Sequence, residues 1–205
     1  MASRRLGALA VGLALAVVAG IATEAAAAPD HAQGASPVAS ALPDDSLFRL
    51  DVRLAPSGGG SLRLDSFVGR PTLVAMFYSS CTSVCPMLTL EMQRIEAALG
   101  PDERERVRFL LISMDPERDT PAALAAFAAE HHFDPSRWLV AHASANDVRT
   151  LAAALGVRYR QLPDRSFSHS SIITLLDSQG VPRARISAPS NELDDFLSHV
   201  RGLLR

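Results

Sequence analysis

The stretch that decides the fold is "PTLVAMFYSSCTSVCPML", residues 71–88. It opens with a nearly continuous apolar run at 71–78, which is typical of a buried strand. The only two cysteines of the chain, Cys81 and Cys85, follow directly, and apolar residues then recur at helical spacing. Pro86 suits the first turn of a helix, where its missing N–H costs no hydrogen bond. The stretch therefore predicts a strand, a turn that carries both cysteines, and a helix.

The residues on either side of this stretch predict alternating strands and helices. Before it, residues 46–70 alternate polar and apolar side chains around a glycine-rich turn at 57–60, which indicates a β-hairpin. After it, strands are expected at 107–114, 138–143, 157–162, 171–177 and 181–187, and helices at 120–131, 144–156 and 190–204. This order predicts an α/β protein, specifically a thioredoxin-like fold with an N-terminal β-hairpin extension.

Composition and the first residues limit the location and the class of protein. The 205 residues carry a net charge of -2, so no basic surface suggests a nucleic-acid partner. Two early arginines, an apolar run and an alanine-rich segment predict a secretory signal over 1–28, with an uncleaved membrane anchor as the alternative. Residues 29–44 are typical of a linker, which leaves a domain over 45–205. Both readings of the signal place this domain outside the cytoplasm, where disulfides persist.

Three roles are open for the two cysteines: a structural disulfide, a redox pair or part of a metal site. Residues four apart share one face of a helix, so Cys81 and Cys85 are expected to point into the same space. The positive N-terminus of the helix is expected to favour thiolates, which attack disulfides and bind soft metals. A structural disulfide would close only a very short loop and contribute little entropy. The redox and the metal-binding readings both remain open at this point.

Other residues are candidates to complete a metal site. His169 lies in a predicted loop before the strand at 171–177, and in a thioredoxin-like fold that loop lies beside the cysteine turn. Asp115 follows the strand at 107–114, so it either lines a ligand site at the carboxyl edge of the sheet or caps a turn. Met87 is close to the cysteines, and packing in the core is the expectation for it.

Three segments together resemble the Sco/SenC family of thioredoxin-fold copper proteins, which are found in the mitochondrial inner membrane and the bacterial cell envelope. They are "CTSVCP" at 81–86, "SMDPERDTP" at 113–121 and "HSSIITLLDSQG" at 169–180, in this order behind a secretion signal. The resemblance extends from about Phe48 to the C-terminus. One departure is Thr82, which stands where many members have a proline, so the stiffness of the loop and its redox potential are expected to differ.

The resemblance implies that Cys81, Cys85 and His169 bind copper, as Cu(I) or Cu(II), and that Asp115 lies near the metal or contacts a partner. It implies a copper metallochaperone that delivers copper to the dinuclear copper site of cytochrome c oxidase subunit II. A further expected partner is another periplasmic copper chaperone. The expected location is the periplasm or the outer face of the inner membrane, with membrane association through the N-terminal segment.

Two rival functions use the same cysteines. The first is a thiol–disulfide oxidoreductase that reduces target cysteines before metallation, with Cys81 and Cys85 as its redox pair. The second is a peroxide-sensing relative of peroxiredoxins, for which "TSVC" at 82–85 fits a nucleophile motif. The second leaves Cys81 and His169 without a role.

Overall fold

The computed structural model describes residues 41–81 and 85–205. The predicted signal segment at 1–28 lies outside the described residues, as do residues 29–40 of the predicted linker. The strands of the described ranges are β1 (Arg53–Pro56), β2 (Leu62–Arg63), β3 (Thr72–Phe77), β4 (Arg108–Ser113), β5 (Trp138–Ala143), β6 (Tyr159–Gln161), β7 (Phe167–His169), β8 (Ile172–Leu176) and β9 (Pro182–Ser187).

The helices of the same ranges are α1 (Cys85–Ala98), α2 (Pro101–Glu105), α3 (Pro121–Glu130), α4 (Ala145–Leu155) and α5 (Leu193–Gly202). Two of these helices, α3 and α4, begin at the capping residues that the sequence predicts. Thr120 caps α3 by accepting a hydrogen bond from the N–H of Ala123 at 3.2 Å. Gly156 ends α4 with a φ of 71°, a conformation that glycine adopts without strain. Within the described ranges, every helix is too short or too polar to cross a membrane.

Seven strands form one sheet in the order β2-β1-β5-β4-β3-β8-β9. Strands β3, β4 and β5 run parallel, and the other neighbouring pairs are antiparallel. All six residues of β3 are buried, as the continuous apolar run predicts. Phe77 pairs with Ser113, so the carboxyl ends of β3 and β4 lie side by side. The chain leaves both strands at the edge where open α/β sheets bind ligands.

Helix α1 packs its apolar face against this sheet. Leu88, Met92 and Ile95 are completely buried, at the helical spacing that the sequence shows. Burial of each such side chain contributes about 1.5–3 kcal/mol relative to exposure. This packing fixes the start of α1, and with it Cys85, relative to the end of β3.

The N-terminal hairpin is confirmed, and it belongs to the main sheet. Arg53 of β1 pairs with Arg63 of β2, while the other edge of β1 pairs with β5. The residues before the hairpin lie against Gly180, whose carbonyl accepts a hydrogen bond from Leu47 at 2.9 Å. A Cβ at Gly180 would lie 2.5 Å from the ring of Phe48, so the close approach requires glycine.

The sequence predicts a loop around His169, whereas the structure has a strand there. Phe167–His169 form strand β7, which pairs with β6 in a separate two-stranded sheet and sets Tyr159 opposite His169. The turn between them includes Arg165 at a φ of 65°. A three-residue strand is too short to show a period of two, and its pairing with β6 supplies the hydrogen bonds that define it.

Candidate metal centre

Three elements bring three donor side chains together. Cys81 lies in the turn after β3, Cys85 is the first residue of α1, and His169 is the last residue of β7. Their two Sγ atoms and one ring nitrogen all lie within 4.8 Å of one another. Among the described residues, no other group of three or more His, Cys, Asp or Glu side chains has such a spacing. The sequence nominated all three, although they are far apart along the chain.

The imidazole of His169 is oriented as a ligand. Its Nδ1 lies 3.2 Å from the carbonyl oxygen of Ser170, and its Nε2 lies 3.3 Å from Sγ of Cys85. A carbonyl oxygen can only accept, so Nδ1 carries the proton and Nε2 keeps its lone pair. Metal-binding histidines commonly use such a backbone contact to select the tautomer. In this tautomer the lone pair of Nε2 faces the sulfur of Cys85.

The two cysteines are linked through the backbone at the start of α1. The N–H of Cys85 donates to Sγ of Cys81 at 3.4 Å, and the N–H of Cys81 donates to the carbonyl of Tyr78 at 3.2 Å. Both cysteines are reduced, with exposures of 7% for Cys81 and 2% for Cys85. The sulfur of Cys81 thus receives an amide at the positive end of the helix.

The expectation that the helix N-terminus favours a thiolate is wrong for Cys85. Burial raises the pKa of the Cys85 thiol well above its usual range, and the hydrogen bond with Cys81 raises it further. The negative charge of Asp119 acts in the same direction. In the metal-free protein this shift favours the thiol form of Cys85, whose Sγ lies 3.3 Å from Nε2 of His169. A metal ion that binds here must displace that proton.

Tyr78 joins both halves of the centre, although no motif in the sequence marks it as part of the site. Its ring contacts His169 edge-on at a centroid distance of 6.0 Å and Phe167 at 5.3 Å. Its hydroxyl accepts from the N–H of Phe167 at 3.3 Å, and burial raises its pKa. Only its place at the end of the apolar run next to the cysteines could have indicated this role.

Asp115 lies outside the cluster of donors. Its carboxylate forms an ion pair with Nε of Arg118, and its N–H donates to Oγ of Ser113 at 3.0 Å. Its carbonyl accepts the N–H of Asp119 at 2.9 Å, so Asp115 organises the turn after β4. The side chain is nevertheless buried at the carboxyl edge of the sheet.

Asp119 is the aspartate of this segment that reaches the cysteine turn. It is completely buried, and one oxygen accepts the N–H of Ser79 at 2.9 Å. The hydroxyls of Ser79 and Ser113 also donate to this carboxylate. Asp119 therefore ties the ends of β3 and β4 together two residues before Cys81. It lies within the "SMDPERDTP" segment, but its sequence pattern does not distinguish it from Asp115.

The expectation that Met87 packs in the core is wrong. Its side chain is on the outer face of the first turn of α1 and is 43% exposed. Leu90, one turn further along α1, is 57% exposed. The inward positions of this turn are occupied by Cys85 and Leu88, so the helical period turns Met87 towards solvent.

The donor set is that of a soft metal site. Two thiols and one imidazole suit copper or zinc, whereas the hard ions Mg²⁺ and Ca²⁺ prefer oxygen donors. Metal bonds of about 2.0 Å to nitrogen and about 2.3 Å to sulfur hold two donors at most about 4.6 Å apart. The three donors lie within 4.8 Å of one another, so a small inward movement lets one ion reach all of them. The fold and this site define the class: a thioredoxin-like α/β protein with a two-cysteine, one-histidine candidate metal centre.

The particular family follows from comparison with known proteins. The family model SCO1/SenC matches residues 44–205, so the chain belongs to the SCO1/SenC family. The resemblance inferred from the three sequence segments is thereby confirmed.

Individual relatives agree with this assignment. The SCO1 protein homolog of Bacillus subtilis is 30% identical over 80 residues, which cover 39% of this chain and 41% of that protein. The chain therefore spans less than half the length of this relative. The structure of Bradyrhizobium japonicum ScoI with copper bound matches with a TM-score of 0.64 at 24% identity, covering 74% of this chain and 96% of that one.

A second solved structure is that of BsSco, a member of the Sco family of cytochrome c oxidase assembly proteins in which a disulfide switch was identified. It matches with a TM-score of 0.64 at 24% identity and covers 74% of this chain and 90% of that one. At this level of identity, the two structures establish the thioredoxin-like fold.

Proposed function

We propose that this protein is a copper metallochaperone that binds copper through Cys81, Cys85 and His169. The observation that carries the proposal is the placement of two thiols and one imidazole lone pair within 4.8 Å of one another. Membership of the SCO1/SenC family supports copper as the metal. Cu(I) prefers such soft donors, while the imidazole makes the site suitable for Cu(II) as well.

The residues around the centre favour reversible binding. Cys81 and Cys85 each give up a proton when they bind the metal. Because burial raises the pKa of the Cys85 thiol, the affinity for the metal depends on pH. In the tautomer selected by the Ser170 carbonyl, Nε2 of His169 is the ring nitrogen that binds the metal. Since the cluster lies in the turn after β3 and at the end of a short hairpin, an acceptor protein can exchange ligands with it one at a time.

The proposed acceptor is the dinuclear copper site of cytochrome c oxidase subunit II, with another periplasmic copper chaperone as a further partner. The proposed location is the periplasm or the outer face of the inner membrane. Family membership supports the acceptor, and the signal-like residues 1–28 support the location.

Anaerobic copper titration of the reduced protein tests the ligand assignment. We expect one copper ion per chain, and an intense thiolate-to-metal charge-transfer band when Cu(II) is added. Cys81→Ser and Cys85→Ser should abolish stoichiometric binding, and His169→Ala should weaken Cu(II) binding by at least about tenfold, as loss of a metal ligand commonly does.

A matched control is His199→Ala, because His199 is exposed on α5 and lies outside the cluster. This variant should bind copper as the wild type does. Copper binding by His169→Ala that equals that of the His199→Ala control would contradict the assignment of His169. Absence of the charge-transfer band in the wild type would contradict the copper site itself.

A second candidate function is a thiol–disulfide oxidoreductase that reduces target cysteines before metallation. The observation that favours it is the closeness of the two reduced sulfurs, because small movements would bring them to disulfide distance. In this reaction Cys81 and Cys85 lose two electrons and two protons to form a disulfide, and the target disulfide becomes two thiols. The elevated pKa and the burial of Cys85 argue for slow attack by that sulfur.

Reduction of a disulfide substrate such as insulin separates the two functions. A metallochaperone should show little activity in this assay, and its His169→Ala variant should lose copper binding without gaining reductase activity. Rapid reduction that persists in His169→Ala would favour the oxidoreductase.

A further inference from the structure

A surface cleft of about 350 Å³ adjoins the candidate metal centre at the carboxyl end of β4. This volume lies in the range of pockets that bind small ligands or inserted side chains. Its apolar lining includes Met114, Val148, Tyr159 and Phe167. Phe167 is two residues from His169 on β7, so the cleft and the metal centre share one strand. The cleft is separate from the three donor atoms and has no role in the ligand set.

The acidic side chains of this cleft are already paired. Asp115 is buried and forms an ion pair with Arg118. Glu117 lies 3.3 Å from the guanidinium of Arg165. Each carboxylate therefore already has a cationic neighbour, which reduces its attraction for a basic ligand.

Neither basic side chain of the cleft has a carboxylate partner among the described residues. Arg149 is exposed on α4, and within residues 41–81 and 85–205 its guanidinium bonds to the side-chain oxygen of Asn146 alone, at 3.3 Å. Arg160 is exposed on β6, and its guanidinium makes no hydrogen bond or ion pair with any residue that the structure describes. An apolar cleft with two unpaired guanidinium groups is complementary to an apolar side chain flanked by carboxylates.

We propose that this cleft docks an acidic segment that carries an aromatic side chain, supplied by the protein that exchanges copper with this chain. The aromatic ring would enter between Val148 and Phe167, and the flanking carboxylates would pair with Arg149 and Arg160. The identity of the partner as a copper donor or acceptor rests on the proposed function. The docking itself depends only on the cleft and its charges.

The position of the cleft explains how docking would serve transfer. Phe167 contacts the ring of Tyr78 at 5.3 Å, and Tyr78 contacts His169 at 6.0 Å. A segment held in the cleft therefore lies one side chain away from the residues that support the imidazole ligand. The attraction of the two guanidinium groups would also orient an acidic partner before contact.

A short peptide tests the chemistry without copper. The probe is an N-acetylated, C-amidated peptide with one phenylalanine and two glutamates on each side of it, added to the metal-free, reduced full chain. We expect NMR shifts confined to amides around the cleft, including those of Val148, Tyr159 and Phe167. A peptide with glutamines in place of the glutamates should bind at least about tenfold more weakly, because it lacks the charges.

The combined variant R149E/R160E tests the assigned residues. It should weaken binding of the acidic peptide by at least about tenfold, since it replaces attraction by repulsion. The matched control is R106E, because Arg106 is exposed and precedes β4 at the opposite end of that strand from the cleft. R106E should change the affinity by no more than about twofold.

Three results would overturn the proposal: shifts that map elsewhere on the surface, equal binding of the glutamine peptide, or equal effects of R149E/R160E and R106E.

Copper titration separates this proposal from the proposed function. R149E/R160E should bind copper as the wild type does, because neither arginine belongs to the donor cluster. If the wild type binds the peptide at the cleft but fails to bind copper, the docking site is supported and the metallochaperone function is rejected.

Discussion

Substitution of Tyr78 tests how the side chains of the candidate metal centre are held in position. Its hydroxyl bonds to the backbone of Phe167, and its ring contacts His169. We expect Tyr78→Phe to keep the ring contact and lose the hydrogen bond, which weakens Cu(II) binding by about threefold to tenfold. The charge-transfer spectrum and the Cu(II) affinity measure the effect.

Tyr159→Phe is the matched control for this prediction. The ring of Tyr159 also contacts Phe167, at 6.2 Å, but its hydroxyl makes no hydrogen bond with the described residues. The control should keep the wild-type spectrum. Identical spectra in Tyr78→Phe and wild type would show that the hydroxyl does not position His169.

The thiol of Cys85 predicts how stability depends on pH. Burial raises its pKa in the folded protein above the ordinary value of 9.0, so the folded state keeps a proton that the unfolded state loses. The contribution of this protonated thiol to stability is fully present below pH 9, and it is lost as the pH rises towards the pKa of the folded state. In the metal-free protein, the free energy of unfolding should fall by up to about 1.4 kcal/mol per pH unit above pH 9 because of this group.

Chemical denaturation between pH 7 and pH 10.5 measures this loss, with Cys85→Ser as the comparison because serine does not titrate there. The wild type should lose more stability than the variant over this range. Parallel pH profiles for the two proteins would refute the assignment of the alkaline loss to Cys85.

At the scale of elements, Asp119 connects the ends of two neighbouring strands. Its carboxylate accepts from Ser79 after β3 and from Ser113 at the end of β4. Asp119→Ala leaves the buried hydroxyl of Ser113 and the partly buried N–H of Ser79 without an acceptor, so we expect a loss of about 3 kcal/mol in the free energy of unfolding. Urea denaturation measures the loss.

Asp164→Ala serves as the control, because Asp164 is exposed and, among the described residues, its side chain bonds only to Ser166 in its own turn. Its effect should stay within about 1 kcal/mol. Equal losses in the two variants would argue against a special role of Asp119 in holding the cysteine turn.

At the scale of the whole molecule, copper binding is expected to stabilise the fold. The three donors come from β7, α1 and the turn after β3, so unfolding separates them and releases the metal. A free Cu(I) concentration of one hundred times Kd should add about 2.7 kcal/mol to the free energy of unfolding. Anaerobic thermal denaturation with buffered Cu(I) measures the shift, which Cys85→Ser should lack. A shift of equal size in Cys85→Ser would place the stabilising metal elsewhere.

Apart from β7 and the short helix α2, the sequence by itself determined the order of strands and helices. Periods of two and of 3.6 residues and capping residues such as Thr120 and Ser144 are local signals. It also nominated Cys81, Cys85 and His169, and the family. The tertiary structure alone decided that β7 is a strand, that burial raises the pKa of the Cys85 thiol, and that Asp119 supports the cysteine turn. It also decided that Arg149 and Arg160 line one cleft. These properties depend on pairing and burial between residues far apart in the chain, and a local pattern carries no information about such contacts.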